Sequence, residues 1–153
     1  MNLRKSVFAA AMLSFIAPSH AGTAPPVGGL MTRPLFTVHQ FFDALGRQDK
    51  SGMLALAVPN LEITSVQQGQ LRRESINSLA DAIAAHHGSV MAEQIHAPIV
   101  HADNDLAVVW APYTFTLDGR VDHCGTDVIT LGLVGNRWLI IGLSDNERKE
   151  SCQ

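Results

Sequence analysis

The segment from Ser89 to the C-terminus constrains the fold most. Everything after Ser89 reads as strand, interrupted only by short turn signals. Val90–His101, Leu106–Leu117, Val121–Val134 and Arg137–Leu143 read as strands, rich in β-branched and aromatic residues and bounded by turn signals. Asp118-Gly119 and Gly135-Asn136 separate the last three strands, and both dipeptides suit two-residue hairpin turns. Pro98 has no amide hydrogen to give to a ladder, so it marks an edge or a bulge of the first strand. A meander of this kind has an apolar face that the rest of the chain must cover.

The cover comes from upstream. Val38, Phe41, Phe42 and Leu45 fall at i, i+3, i+4 and i+7, which predicts a helix over about Val38–Arg47. Thr37-Val38-His39-Gln40 has the form of a capping box, with Phe36 and Phe41 placed for a hydrophobic staple. Asp49 can cap a second, short helix carrying Met53, Leu54 and Leu56, which Pro59 stops. Leu61–Val66 is a short strand candidate. A third helix is expected from Arg73 to His87, with Ile76, Leu79, Ile83 and His87 on one face and Gly88 as terminator. Helices first and an antiparallel meander afterwards predict an α+β domain with the helices gathered on one sheet face.

Composition matters most at the N-terminus. Met1–Ala21 has a basic start at Arg4 and Lys5, an apolar run from Val7 to Ala17, and Ser19-His20-Ala21 at a cleavage site. This is the pattern of a secretory signal peptide, too short for a membrane span. Gly22–Pro34, with three prolines and three glycines, reads as a flexible leader. Export predicts a periplasmic or secreted protein with no membrane span in the mature chain. Without Arg4 and Lys5, nine basic side chains face fourteen acidic ones, a net charge of −5. No basic stripe is present to neutralise phosphates, which argues against nucleic acid as a partner. Cys124 and Cys152 both survive cleavage, and an even pair in an oxidising compartment favours a disulfide over two free thiols.

Hairpin geometry predicts which residues share a face. With two-residue turns, Leu117 faces Arg120 and Val134 faces Arg137. Carried along the strands without interruption, this register sets Val108, Trp110 and Thr114 opposite Ile129, Asp127 and His123. Trp138, Ile140 and Ser144 join that face, with Ser144 opposite Asp127. The other face receives Val109, Tyr113, Phe115, Cys124, Val128, Leu139, Ile141 and Leu143. Cys124 then stands opposite Glu147, five residues before Cys152, within reach of a returning tail. Trp110, Thr114, His123, Asp127, Trp138 and Ser144 form the expected pocket. An aspartate in an apolar enclosure has a raised pKa and can exchange a proton with a bound molecule, and a tryptophan can stack on a flat ligand. The plainer alternative gives Asp127 a structural hydrogen bond from Ser144 and leaves His123 in solvent.

Phe41-Phe42-Asp43-Ala44-Leu45, Leu106–Tyr113, His123-Cys124-Gly125-Thr126-Asp127 and Arg137-Trp138-Leu139-Ile140 occur in an order that resembles the nuclear transport factor 2-like superfamily, especially its bacterial lumazine-binding-like (SnoaL-like) branch. The resemblance covers about Leu35 to the C-terminus. It implies a cone-shaped roll: three N-terminal helices packed on a strongly bent antiparallel sheet. In the register above both sheet faces are largely apolar, one for the helices and the other for a partner subunit or less complete packing, and a homodimer through the outer sheet face is expected. That superfamily holds isomerases, dehydratases, cyclases and binding modules on one scaffold, so fold alone does not assign a reaction. The leading expectation is a non-catalytic pocket for a small, flat, largely apolar molecule, or a dimeric assembly module. The rival is a cofactor-independent lyase or isomerase, resembling dehydratases or ketosteroid isomerases, with Asp127 as base and His123 assisting. Tyr113 is the chain's single tyrosine, which excludes a tyrosine-pair mechanism.

Other chemistry finds little support. His86-His87, with His96 and His101 beyond, lacks a carboxylate at ligand spacing, so no metal is expected. Ser75, Ser78 and Ser89 have no nucleophile-elbow context. Gly28-Gly29 follows no strand and is no phosphate loop, and Arg72-Arg73 reads as solvated charge. No cofactor is expected.

Overall fold

Three long strands form the spine of the structure, a computed structural model that describes residues 27–152. Along the chain the elements are α1 (Val27–Gly46), α2 (Lys50–Ala55), β1 (Glu62–Gln67), β2 (Gln70–Ser75), α3 (Ile76–Ala85), β3 (Met91–Ile95), β4 (Ile99–Asp103), β5 (Leu106–Leu117), β6 (Arg120–Val134) and β7 (Arg137–Arg148). They make a seven-stranded sheet in the order β2-β1-β7-β6-β5-β3, with β4 also paired to β5. The sheet is strongly curved and unclosed, and the helices are N-terminal, so the fold is the expected α+β cone. It is mixed rather than wholly antiparallel, because β1 runs parallel to β7.

The turn chemistry acts as the sequence implies. Asp118 and Gly119 have φ of 52° and 75°, and Gly135 and Asn136 have 54° and 66°, the paired positive values that match a hairpin's twist. Pro98 sits in the break between β3 and β4, beside Ala97 at φ 40°. The single strand expected over Val90–His101 is therefore two, both paired to β5.

α1 buries Val38, Phe41, Phe42 and Leu45 against the sheet, as their spacing predicts. It starts earlier than expected, at Val27, so the later part of the expected leader is helical. Thr37 is thus an interior helix residue and not a cap. Its hydroxyl lies 3.5 Å from the carbonyl of Arg33 and 3.4 Å from that of Trp138, while Phe36 stays exposed. The signal-peptide segment, residues 1–21, lies outside the described residues. Asp49 caps α2 by accepting from the Gly52 amide at 2.9 Å. α3 begins only at Ile76, capped by Ser75, because the preceding residues pair with β1 as β2.

The core lies between the helices and the concave face of the sheet. Phe41, Met53, Ile129, Leu131 and Ile140 are fully buried there, each contributing about 1.5–3 kcal/mol of transfer free energy.

Cys124 and Cys152 are disulfide-bonded, with Cα atoms 5.6 Å apart. The bond ties the C-terminal tail to β6 on the convex side of the sheet.

Candidate functional site

Two bulges decide which residues meet in the cone. Leu117 pairs with Arg120 and Thr116 with Val121, as the hairpin dictates, but Phe115 then pairs with His123. Asp122 is the extra residue. A second break leaves Ile141 unpaired, since Leu131 faces Ile140 whereas Thr130 faces Gly142. One inserted residue moves every side chain beyond it to the opposite face of the partner's register.

Asp127 consequently stands opposite Ala111 and Asp145, not Trp110 and Ser144. Trp110, Thr114 and Ser144 belong to the convex face, where Trp110 is 49% exposed. Thr114 is covered there, and its hydroxyl lies 3.0 Å from His96 Nε2. Trp138 is on the concave face but buried at the far end of β7, away from Asp127. Cys124 faces Arg148 rather than Glu147. Of the six residues expected to line one pocket, only His123 and Asp127 line the same cavity. Val109, Tyr113, Phe115 and Leu143, expected behind the sheet, share their face.

That cavity has a volume of about 220 Å³. Phe41, Phe42 and Leu45 of α1 and Leu79 of α3 roof it, and Tyr113, Phe115 and His123 rise from the sheet. Its charged lining is acidic, with Glu74, Glu93, Asp127, Asp145 and Glu147 and, among the described residues, no lysine or arginine; Ser65 and Gln67 of β1 add neutral polar groups.

Asp127 is the centre of this group. It is 4% exposed, and its Oδ2 receives no hydrogen bond from any N–H or hydroxyl of the described residues. Its carboxyl is in hydrogen-bonding contact with that of Glu93. Two carboxylates can bond each other only if one carries a proton. Burial pushes Asp127 up to about 7, with the charge of Asp145 adding to the rise and the Glu93 contact opposing it. Glu93 is raised well above the ordinary carboxylate range, chiefly by burial and then by Asp127. The two groups titrate as a pair that retains a proton near neutrality.

Neighbours hold the pair in place. Ser65 donates its hydroxyl to Asp145. Tyr113 donates to the carbonyl of Asn146 at 3.2 Å and lies 3.5 Å from Asp145 Oδ2. Burial, then the carboxylates of Asp145 and Glu93, raise the Tyr113 phenol, so it stays protonated. Its ring crosses β6 at Gly125, where a Cβ would come within 1.8 Å of Asn146 O and 2.7 Å of Tyr113 Cε1. His123 stacks on Phe115 with centroids 4.8 Å apart, and its Nδ1 lies 2.8 Å from Asp122 Oδ2. That hydrogen bond holds Asp122 below its usual value.

Glu93 and Tyr113 are the functional candidates that sequence reasoning missed or misplaced. Glu93 carried a signal: it alternates with Met91 and Ile95 on one face of a strand, a carboxyl in an apolar position. Among the described residues no cluster of three or more His, Cys, Asp or Glu has an arrangement that holds a metal ion.

No protein-family model matches the chain, and no curated protein matches it significantly in sequence. Solved structures do match. A nuclear transport factor 2-like protein of unknown function from Silicibacter pomeroyi superposes with a TM-score of 0.66 at 13% identity, covering 81% of this chain and 100% of the other. A candidate dehydratase of the same fold family from Streptomyces avermitilis gives 0.63 at 13%, covering 77% and 95%. The beta subunit of a candidate aromatic-ring-hydroxylating dioxygenase from Novosphingobium aromaticivorans gives 0.65 at 14%, covering 82% and 94%. With the mixed curved sheet and helices described above, these likenesses establish that the chain has the nuclear transport factor 2-like fold.

Proposed function

We propose that this chain is an exported small-molecule-binding protein whose ligand occupies the Asp127 cavity. The observation that supports this reading best is Asp127 Oδ2, a buried acceptor without an N–H or hydroxyl donor on the wall of a cavity. The proton shared with Glu93 answers only one acceptor position of this carboxyl, and a ligand donor would answer another, each worth about 1–3 kcal/mol when left unmet in a buried site. The disulfide agrees with an oxidising compartment, and no helix among the described residues is long and apolar enough to cross a membrane. Within the fold family, the lumazine-binding-like branch remains the affiliation we favour.

The test is a thermal-shift screen of the oxidised protein against flat heterocycles, sterol-like and polyketide-like compounds, repeated on Leu79→Trp. A ligand of this cavity raises the melting temperature of the parent and not of the variant that fills it. Hits that stabilise both proteins equally would place the ligand elsewhere.

A second reading is a cofactor-independent lyase or isomerase. The proton shared by Asp127 and Glu93 favours it, because a group poised near 7 can both take and return a proton at neutral pH. Asp127 would then act as base, with Glu93 rather than His123 as its immediate proton partner. Turnover of any bound hit would separate the readings, since Asp127→Asn abolishes a rate under this one and alters only affinity under the first.

We also propose that the convex face forms a homodimer interface. Trp110, Ile99 and Ile141 are exposed there, an apolar surface of the kind that marks an interaction site.

A further inference from the structure

We propose that the cavity takes a small organic cation, a protonated amine whose ammonium sits at Asp127 and whose apolar body lies against Phe41, Phe42 and Phe115. The proposal rests on the reading of this cavity as the ligand pocket and goes on to name the class of ligand.

Charge is the first ground. The acidic groups that face the site are Glu74 from β2, Glu93 from β3, Asp127 from β6, and Asp145 and Glu147 from β7; β1 adds the neutral Ser65 and Gln67, which donate to Asp145 and Glu147, and α1 and α3 contribute only apolar side chains. Tyr113 stays a neutral phenol, as its raised pKa requires. Among the described residues His123 is the single one of the lining able to carry positive charge, and its Nδ1 is engaged with Asp122. An anion would meet uncompensated repulsion, and a neutral ligand would leave the field unanswered. A cation gains from each ionised carboxylate in a site where water does not screen fully.

Hydrogen bonding is the second and independent ground. Asp127 Oδ2 is buried beyond nine-tenths and needs a donor, which among the described residues only a protonated Glu93 can supply. An ammonium offers up to three donors, enough to serve Asp127 together with a neighbouring carboxylate. The aromatic roof gives the third ground, because ring faces attract a cation and pack its hydrocarbon part. Size narrows the class further. At about 220 Å³ the cavity falls below the ~300–1,000 Å³ that suits drug-sized ligands. The apolar and aromatic part of the lining, which a bare metal ion would leave unfilled, points to an organic rather than a metallic cation.

Proton and ammonium compete for the same carboxyl pair. Affinity for an amine therefore rises with pH through about 7, as Asp127 ionises, for as long as the amine itself stays protonated.

Benzylamine, benzyl alcohol and benzoate are probes of nearly equal shape and different charge. Calorimetric titration of the oxidised protein at pH 8 and low salt should show benzylamine binding at least tenfold more tightly than benzyl alcohol, with no benzoate binding. Benzylamine should bind at least threefold more weakly at pH 6. Asp127→Asn should reduce the preference for amine over alcohol to less than threefold. Glu93→Gln, as a second variant, should keep the preference while weakening the pH dependence. Equal or tighter binding of the alcohol or benzoate would overturn the cation assignment and leave the pocket standing. Benzylamine binding unchanged by Leu79→Trp would place the amine outside the cavity and overturn the proposal. Silence from all three probes would overturn it too, and silence in the heterocycle screen as well would remove the pocket reading beneath it.

Discussion

Asp127 and Asp145 stand directly opposite each other on β6 and β7, two acids in a cross-strand pair on the concave face of the sheet. Like charges so placed repel. The structure separates their circumstances. Asp145 accepts from the Ser65 hydroxyl, whereas Asp127 is turned into the cavity against Glu93. The pair is held together by folding and not by its own chemistry, which is the pattern of a site built at a cost in stability.

That cost depends on pH. Asp127 is raised to about 7 in the folded protein, against about 3.9 for an unfolded aspartate. Folding therefore retains a proton that the unfolded chain releases, so this contribution is fully present below about pH 4 and lost as pH rises toward 7. Asp127→Asn should flatten stability between pH 4 and 7, and above pH 7 raise it by about 1–3 kcal/mol. Urea unfolding at pH 4.5, 6 and 8 measures both effects.

Gly125 should tolerate no side chain. A Cβ there meets the Asn146 carbonyl and the Tyr113 ring, and the carbonyl belongs to a ladder that cannot move without disturbing β7. Gly125→Ala should cost more than about 2 kcal/mol. Tyr113→Phe, which removes one hydroxyl hydrogen bond, should cost about 1 kcal/mol. Chemical unfolding of the two variants side by side checks the ordering.

Breaking the Cys124–Cys152 bond, which spans 28 residues, should cost about 2–4 kcal/mol through the freedom returned to the unfolded chain. Cys152→Ser should unfold at lower denaturant while keeping any ligand bound by the parent, because Cys124 lies on the convex side and the cavity on the concave one. Denaturation and titration of the oxidised parent and the variant test the two parts.

Replacing Trp110 with glutamate should separate a dimer formed through the convex face. Sedimentation velocity of the parent and of Trp110→Glu should give dimer and monomer masses, with stability changed by less than about 1 kcal/mol because Trp110 is half exposed in the single chain.

Fold and site were not equally legible in the sequence. The hairpin dipeptides, the Asp49 cap and the Val38-Phe41-Phe42-Leu45 stripe each act locally, so local reading located the elements they belong to. β2 escaped because Gln70–Ser75 is almost wholly exposed and lacks the apolar alternation of a half-buried strand. The site failed for a different reason. Its membership depends on parity along β6 and β7, and parity is reversed by one extra residue at Asp122 and another at Ile141. Neither residue type announces a bulge. Asp127 and His123 stayed together because both lie beyond the same bulge, whereas Trp110, Thr114 and Ser144 were exchanged for Ala111, Phe115 and Asp145. The contact of Asp127 with Glu93 joins strands that are not sheet neighbours, and only the bend of the sheet brings it about.

Asp127 and Glu93 together hold a proton in the cavity at neutral pH. A carbon-13 titration of their side-chain carboxyl resonances, assigned with Asp127→Asn and Glu93→Gln, reads this directly. The expected result is coupled titration, with the Asp127 resonance moving near pH 7 and Glu93 moving above the ordinary carboxylate range. Two independent transitions near pH 4 would contradict it, leaving Asp127 an ionised residue paired by some other donor and the cavity without its proton-holding pair.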